Sequence, residues 1–313
     1  MTELVAPPGP GAPGRVFEQA IRPGVADGVG SGRVRLDAIA RWLQDVAYLD
    51  LVDAGFEEKG VWIVRRTRLR VESFPRFGDE LVLSTFCSGI GRFSAERRTT
   101  VSGGSASVEA VALWIWLDGE SLRPARFPPE FTEIYGASAN GREAGVRLRH
   151  PDPPADAERK SWLFRASDVD VAGHVNNSHH WAALEQELVG DEPLSLDAEV
   201  EYRDPALPGE ALLLRDRSAR WIAAADGRVC ASILLRHQRG LEVAEGGLDL
   251  RVDADDLALV FGLAGVVPRA RARRGRSRAR SGRRPRSRSG SSPRPARRSC
   301  VRPASAHAPS ASP

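Results

Sequence analysis

Two stretches of the chain decide its fold when one is set above the other: RPGVADGVGSGRVRLDAIARWLQDV, Arg22 to Val46, and RASDVDVAGHVNNSHHWAALEQEL, Arg165 to Leu188. Arg22 is set against Arg165, Asp27 meets Asp168, Gly32 meets Gly173, Val34 meets Val175 and Leu43 meets Leu184. Further along, PRFGDELVL from Pro75 matches PALPGEALLL from Pro205, with one extra residue in the second copy. Two matches in the same order, each in a similar setting, mark an internal repeat.

Each copy reads as the same set of elements. In the first, Leu36, Ile39, Ala40, Leu43, Val46 and Ala47 fall on one helical face, with Asp37, Arg41, Gln44 and Asp45 opposite and Gly55 as an end signal. In the second, Asn177 is placed to cap a helix whose buried face includes Trp181, Leu184 and Leu188. Strand-like runs follow each helix. Val61, Ile63, Thr67, Leu69 and Val71 share one parity, broken only by Arg65, and Ala106 to Leu117 is apolar on both faces, as a central strand would be. Glu199 to Arg203, Ala211 to Leu214 and Val229 to Leu235 behave likewise. A helix followed by antiparallel strands predicts an α+β unit in which the sheet wraps the helix. The polar, proline-containing run Ala137 to Lys160 reads as the connector, giving units at 15–136 and 161–238 with a disordered start at 1–14.

Composition bounds the rest. The chain has 313 residues, 42% of them hydrophobic, enough for a sizeable core. Its longest apolar stretch, Leu257 to Val267, is far short of the roughly 20 residues a membrane-spanning helix needs. The start MTELVAPPGPGAPG has no secretory character, and three widely spaced cysteines, Cys87, Cys230 and Cys300, show no metal-ligand spacing. A soluble, cytoplasmic protein without metal or cofactor is the expectation. Of 45 basic residues, 15 are arginines from Arg269 onward, where no acid occurs, leaving 30 basic against 41 acidic residues before it. The body is therefore acidic. The Arg/Ser/Pro-rich run at 239–313 reads as a disordered extension, or as the product of a shifted reading frame. A nucleic-acid arm fits less well, because no aromatic residue is interleaved to stack on bases.

SDVDVAGHVNN, Ser167 to Asn177, closely resembles the signature loop of hotdog thioesterases. WIVRRTRLRVESFPRFGDELVLSTFCSG and LWIWLDGESLRPARFPPEFTEIYG in the first copy resemble the N-terminal half of the acyl-ACP thioesterase family, a fused double hotdog. The resemblance covers roughly Arg15 to His237. It implies a tandem hotdog with the acyl tunnel in the first unit and catalysis in the second. The expected partner is an acyl carrier protein bearing a phosphopantetheine thioester, with a homodimer left open.

Thioester hydrolysis needs water or a carboxylate aimed at the carbonyl carbon and donors aimed at its oxygen. Asp170 suits a general base, or a nucleophile passing through an anhydride. Gly173 permits close backbone approach, and free N–H groups at the following helix start favour an oxyanion. His174 can donate to the carbonyl, orient water or hold the carboxylate. The resemblance supports Asp170 and His174 as catalytic. Asn176 and Asn177 are expected to fix the loop and cap the helix, and Glu185 to reach back from it. His179 and His180 are expected to be surface or packing residues. Caps alone would also explain Asp and Asn at a loop–helix junction. Against that, the repeat sets Val29 opposite Asp170 and Arg33 opposite His174, so the first copy keeps the glycine and the helix without the titratable pair.

Trp62, Val64, Trp114 and Trp116 are candidate tunnel-lining residues, with ordinary sheet core as the alternative for each. Arg65, Arg66, Arg68, Arg70, Arg97 and Arg98 offer cations to an acidic carrier protein, with a solvated strand face as the alternative. Two departures stand out. Plant members carry Asn where Ala172 stands, and Glu-Cys shortly after a Tyr-Arg pair, whereas Tyr202 and Arg203 here are followed by Asp204, Pro205 and Ala206. A cysteine nucleophile there is excluded. An acyl-CoA thioesterase would share the loop, and a non-catalytic acyl-binding protein is a further alternative. A hotdog dehydratase would need a His and Glu pair on opposed units, and the first copy has no histidine.

Overall fold

The computed structural model describes residues 4–57, 60–188 and 192–240. The arginine-rich tail lies outside them. Among the described residues ten strands form one antiparallel sheet: β1 (Phe17–Ile21), β2 (Val61–Ser73), β3 (Leu81–Ile90), β4 (Ser94–Gly103), β5 (Ala106–Leu117), β6 (Glu158–Phe164), β7 (Pro193–Tyr202), β8 (Gly209–Asp216), β9 (Ala219–Ala224) and β10 (Val229–Gly240). The spatial order is β1-β3-β4-β5-β2-β7-β10-β9-β8-β6. Read from each end inward, both halves repeat one topology, and they join where β2 pairs antiparallel with β7, Arg66 opposite Glu201 to Val71 opposite Leu196. Each half adds a helix, α1 (Leu36–Asp53) in the first and α3 (His179–Leu188) in the second, and α2 (Pro129–Ala139) follows β5. The tandem hotdog architecture expected from the sequence is the one observed.

The repeat extends to atomic detail. A single 3-10 turn precedes each helix, Val25–Asp27 and Ala166–Asp168, and in each the closing aspartate accepts a backbone N–H three residues back, from Gly24 at 2.7 Å and from Arg165 at 2.8 Å. The pairing of Arg22 with Arg165 therefore fails. The offset that relates Asp27 to Asp168 sets Gly24 against Arg165. Isolated bridges Gly28–Val34 and Val169–Val175 then close matching loops. Gly32 and Gly173 turn those loops at φ +84° and +78°, a left-handed conformation that favours glycine.

Strand alternation sends one row of side chains to the helices and the next to the opposite face. Leu69, Val71, Leu196, Ala198 and Val200 join Leu36, Ile39, Leu43, Trp181 and Leu184 in one core shared by both halves. On the other face Arg66, Glu199 and Glu201 are buried under the connector between α2 and β6. Glu201 accepts the N–H groups of Arg149 and His150 at 2.7 and 2.9 Å. The connector is shorter at both ends than the polar run suggests, since α2 reaches Ala139 and β6 begins at Glu158. The start of the chain is also more engaged than a disordered segment would be. Arg98 donates to the Val5 carbonyl, and Gly14 lies against Ser138.

One parity reading is overturned. The β2–β5 ladder shifts register between Val64 and Arg66, a β-bulge at Arg65 that reverses which side chains face inward. Val64, Thr67, Leu69 and Val71 are buried, while Val61 and Ile63 are exposed.

Candidate active site

The loop from Asp170 to Asn177 presents its polar atoms at the junction of the halves. Asp170 is half-buried. Its Oδ1 accepts the Ala172 N–H at 2.9 Å and its Oδ2 accepts Nδ2 of Asn176 at 2.9 Å, two donors that orient the carboxylate. Backbone bonds from Asp170 N–H to the His174 carbonyl and from Gly173 N–H to the Asp170 carbonyl, 3.0 Å each, close the turn. The Asn176 side-chain oxygen accepts the Ser178 N–H at 2.9 Å, so the cap expected of Asn177 is made by Asn176. Among the described residues, the backbone N–H groups of His174 and Asn177 have no partner within the chain. The His174 imidazole is exposed and makes no hydrogen bond or ion pair with Asp170.

A cavity of about 590 Å³ opens beside this loop. Asp170, His174, Asn176, Asn177 and Ala206 line it from the second half, and Gln44, Tyr48 and Leu51 of α1 from the first. It continues past Trp62, Val64 and Trp114 to Cys87, Ala95 and Phe131. Three of the four expected lining residues are thus on its wall. Trp116 is not: it is buried in an aromatic cluster with Phe56, Trp62 and Phe127, its ring centroid 5.0 Å from that of Trp62.

Glu185 does not reach the Asp170 loop. Its carboxylate crosses to the first half, where it meets the buried Arg33 guanidinium at 2.5 and 3.3 Å and accepts the Leu36 N–H, the first of α1, at 2.9 Å. The four arginines assigned to carrier contact fare differently from one another. Arg66, Arg97 and Arg98 are buried, Arg97 against Asp50 at 2.6 Å, Arg98 against Glu109, and Arg66 against the Arg147 carbonyl, with Glu199 3.9 Å away. Arg65, on the bulge, lines the cavity and donates to the Tyr202 and Arg203 carbonyls at 2.9 Å each. Burial forces strand arginines to find acids or carbonyls, which composition alone does not reveal.

Several lining residues escaped the sequence reading. Asp45 of α1 has its carboxyl pKa raised by burial, opposed by the Arg41 charge. His180 is fully buried on the cavity wall between the rings of Phe164 (5.3 Å) and Tyr202 (5.5 Å), with neither ring nitrogen bonded. Burial lowers its pKa to about 4, so its ring is neutral at physiological pH. Cys87 also lines the cavity, and burial pushes its thiol up to about 11, far from a reactive thiolate. Among the described residues one group, His150, Glu199 and Glu201, has metal-ligand proximity. Its atoms are occupied: His150 bonds Ser232 and Glu199 at 3.1 Å each, Glu199 pairs with Arg236 at 2.8 Å, and Glu201 holds the connector.

A repeated sheet wrapped on two helices, with one acid-bearing loop facing a cavity that runs between the halves, is a double-hotdog arrangement. Residues 14–135 match the model of the acyl-ACP thioesterase N-terminal domain. An uncharacterised Mycobacterium tuberculosis protein is 26% identical over 187 residues, 58% of this chain and 75% of that one. The chloroplastic palmitoyl-acyl carrier protein thioesterase of Arabidopsis thaliana is 26% identical over 211 residues, 61% of this chain and 50% of the plant protein. In fold, the chain superposes on a putative oleoyl thioesterase of Lactobacillus plantarum with a TM-score of 0.59, 16% identity, and coverage of 74% of this chain and 98% of that one. The likeness in sequence is thus to acyl-ACP thioesterases, over the first half by the family model and over 58–61% of the chain by these relatives. No described helix is long and apolar enough to cross a membrane.

Proposed function

We propose that the protein hydrolyses long-chain acyl thioesters of acyl carrier protein to the free fatty acid and the carrier thiol. The observation that carries this reading is the single cavity shared by the Asp170 loop and the apolar wall of Trp62, Val64, Trp114 and Phe131. Sheltering the chain there is favourable by about 0.8 kcal/mol for each buried CH₂, which holds the carboxyl end at the loop. Asp170 takes a proton from water as the water oxygen bonds to the carbonyl carbon. The carbonyl oxygen gains charge, for which the unpartnered N–H groups of His174 and Asn177 are the available donors. Collapse breaks the C–S bond, and the sulfur leaves with the proton Asp170 had taken. In the alternative route the Asp170 carboxylate attacks the carbonyl carbon and the C–S bond breaks to expel the thiolate. Water then opens the anhydride, restoring the Asp170 carboxylate and releasing the fatty acid, with a proton from that water taken up by the thiolate. His174 lines the cavity, and its imidazole is exposed with no bond to Asp170, which favours a role at the thioester end of the substrate over orienting Asp170.

The carrier is assigned on family likeness. Acyl-CoA is the competing substrate, because three of the four proposed carrier-contacting arginines are buried. The two described cysteines are free, which fits work in the reducing cytoplasm. The test is fatty-acid release from matched panels of acyl-carrier-protein and acyl-CoA thioesters, by wild type and Asp170→Asn. We expect wild type to prefer the carrier-protein panel and the Asn variant to lose ~10³-fold or more in kcat with an unchanged thermal midpoint. Near-normal turnover by the Asn variant would remove Asp170 from the mechanism, and a preference for CoA would reassign the carrier.

A further inference from the structure

The helical position that holds Glu185 in α3 is occupied in α1 by Gln44, related by the same offset as Leu43 and Leu184. Both side chains cross to the other half. Glu185 locks onto Arg33, but Gln44 faces the cavity and meets the Asp170 loop. Its Nε2 donates to Oδ1 of Asn176 at 3.0 Å, and its Oε1 accepts from Nδ2 of the same amide at 3.4 Å. The Ser178 N–H bonded to Oδ1 sets which end of the Asn176 amide accepts, and leaves Nδ2 to donate to Asp170.

From this geometry we infer that Gln44 is a positioning residue for hydrolysis: the first half supplies an amide that clamps Asn176 so that Asn176 can aim Asp170. The inference rests on the reading of Asp170 as the reacting carboxylate. It makes the active site composite, with the acid on one repeat and its brace on the other. Two paired amides form a stiff contact, whereas Asn176 held by Ser178 alone keeps its oxygen fixed but loses the partner that restrains its plane. A carboxylate displaced by even ~1 Å costs up to ~10²-fold in rate. The same helix position in the first half's loop partner shows the alternative fate: there the crossing side chain is an acid neutralised by Arg33, and no carboxylate stands at Val29.

The test uses the full chain carrying Gln44→Met, which keeps bulk and removes the amide, with Asn176→Ala and the double variant. On a long-chain acyl-carrier-protein thioester we expect Gln44→Met to lower kcat ~10-fold with KM within twofold. In the Asn176→Ala background the same change should have little further effect, since Gln44 acts through Asn176. A second measurement needs no activity. In ¹⁵N spectra the Asn176 side-chain amide, identified by its absence in Asn176→Ala, should be slow to exchange in wild type and fast in Gln44→Met. Inactive wild type with that protection intact would sink the proposed function and leave the clamp standing. Unchanged kcat in Gln44→Met, a loss that multiplies fully with that of Asn176→Ala, or unchanged exchange would overturn the clamp.

Discussion

Protonating His180 would place a charge between Phe164 and Tyr202, where neither ring nitrogen has a partner. Burial lowers its folded pKa to about 4 from 6.5, so between those values the unfolded chain binds the proton and the folded one does not. Stability from this group is therefore full above pH 6.5 and is lost as pH falls towards 4, by roughly 3 kcal/mol on the linkage relation. We expect the thermal midpoint of wild type to decline across that window and that of His180→Phe to decline less. Equal slopes would mean that other groups set the acid limb. Gly173 was legible in the sequence because the repeat sets it against Gly32, and Asp170 because its loop resembles a known signature loop while the matching position in the first copy is Val29. Arg66, Arg97 and Arg98 were not. Their partners, among them Asp50 and Glu109, are brought to them only by the folded helix and the neighbouring strand.

At the scale of elements, the Arg33–Glu185 pair joins the start of α1 to the middle of α3. Arg33 also lies 4.9 Å from the Phe74 ring and donates to the Val34 carbonyl, and Glu185 caps the first N–H of α1. Removing one member of a buried, hydrogen-bonded pair leaves the other charge unpaired, which typically costs about 3–5 kcal/mol. Arg33→Ala should therefore unfold at markedly lower urea concentration than wild type. A variant of wild-type stability would show that the pair contributes little to folding. The helical face of α1 was legible because it follows one period from end to end, and β5 because it is apolar on both faces, as a central strand is. β2 was misread on one side of Arg65 because a bulge adds a residue to one strand without any change in composition. Val61 and Ile63 look like core until the register shift is known.

At the scale of the whole molecule, neither half is complete without the other. The seam strand β7 carries Leu196, Ala198 and Val200 into the common core and pairs along its length with β2, so the second half alone would present an unpaired edge beside an uncovered apolar row. Its loop would also lose Gln44 and the cavity wall of Trp62, Val64 and Phe131. The repeat made the two-unit layout readable, and the family resemblance implied a binding unit and a catalytic unit, whereas the cavity is lined from both halves. We expect residues 140–313 expressed alone to aggregate and to release no fatty acid, and co-expression with residues 1–139 to recover soluble, active protein through the β2–β7 seam. A soluble 140–313 fragment hydrolysing acyl thioesters at the rate of the whole chain would show that the second half carries its own substrate site, and the composite cavity would have no part in catalysis.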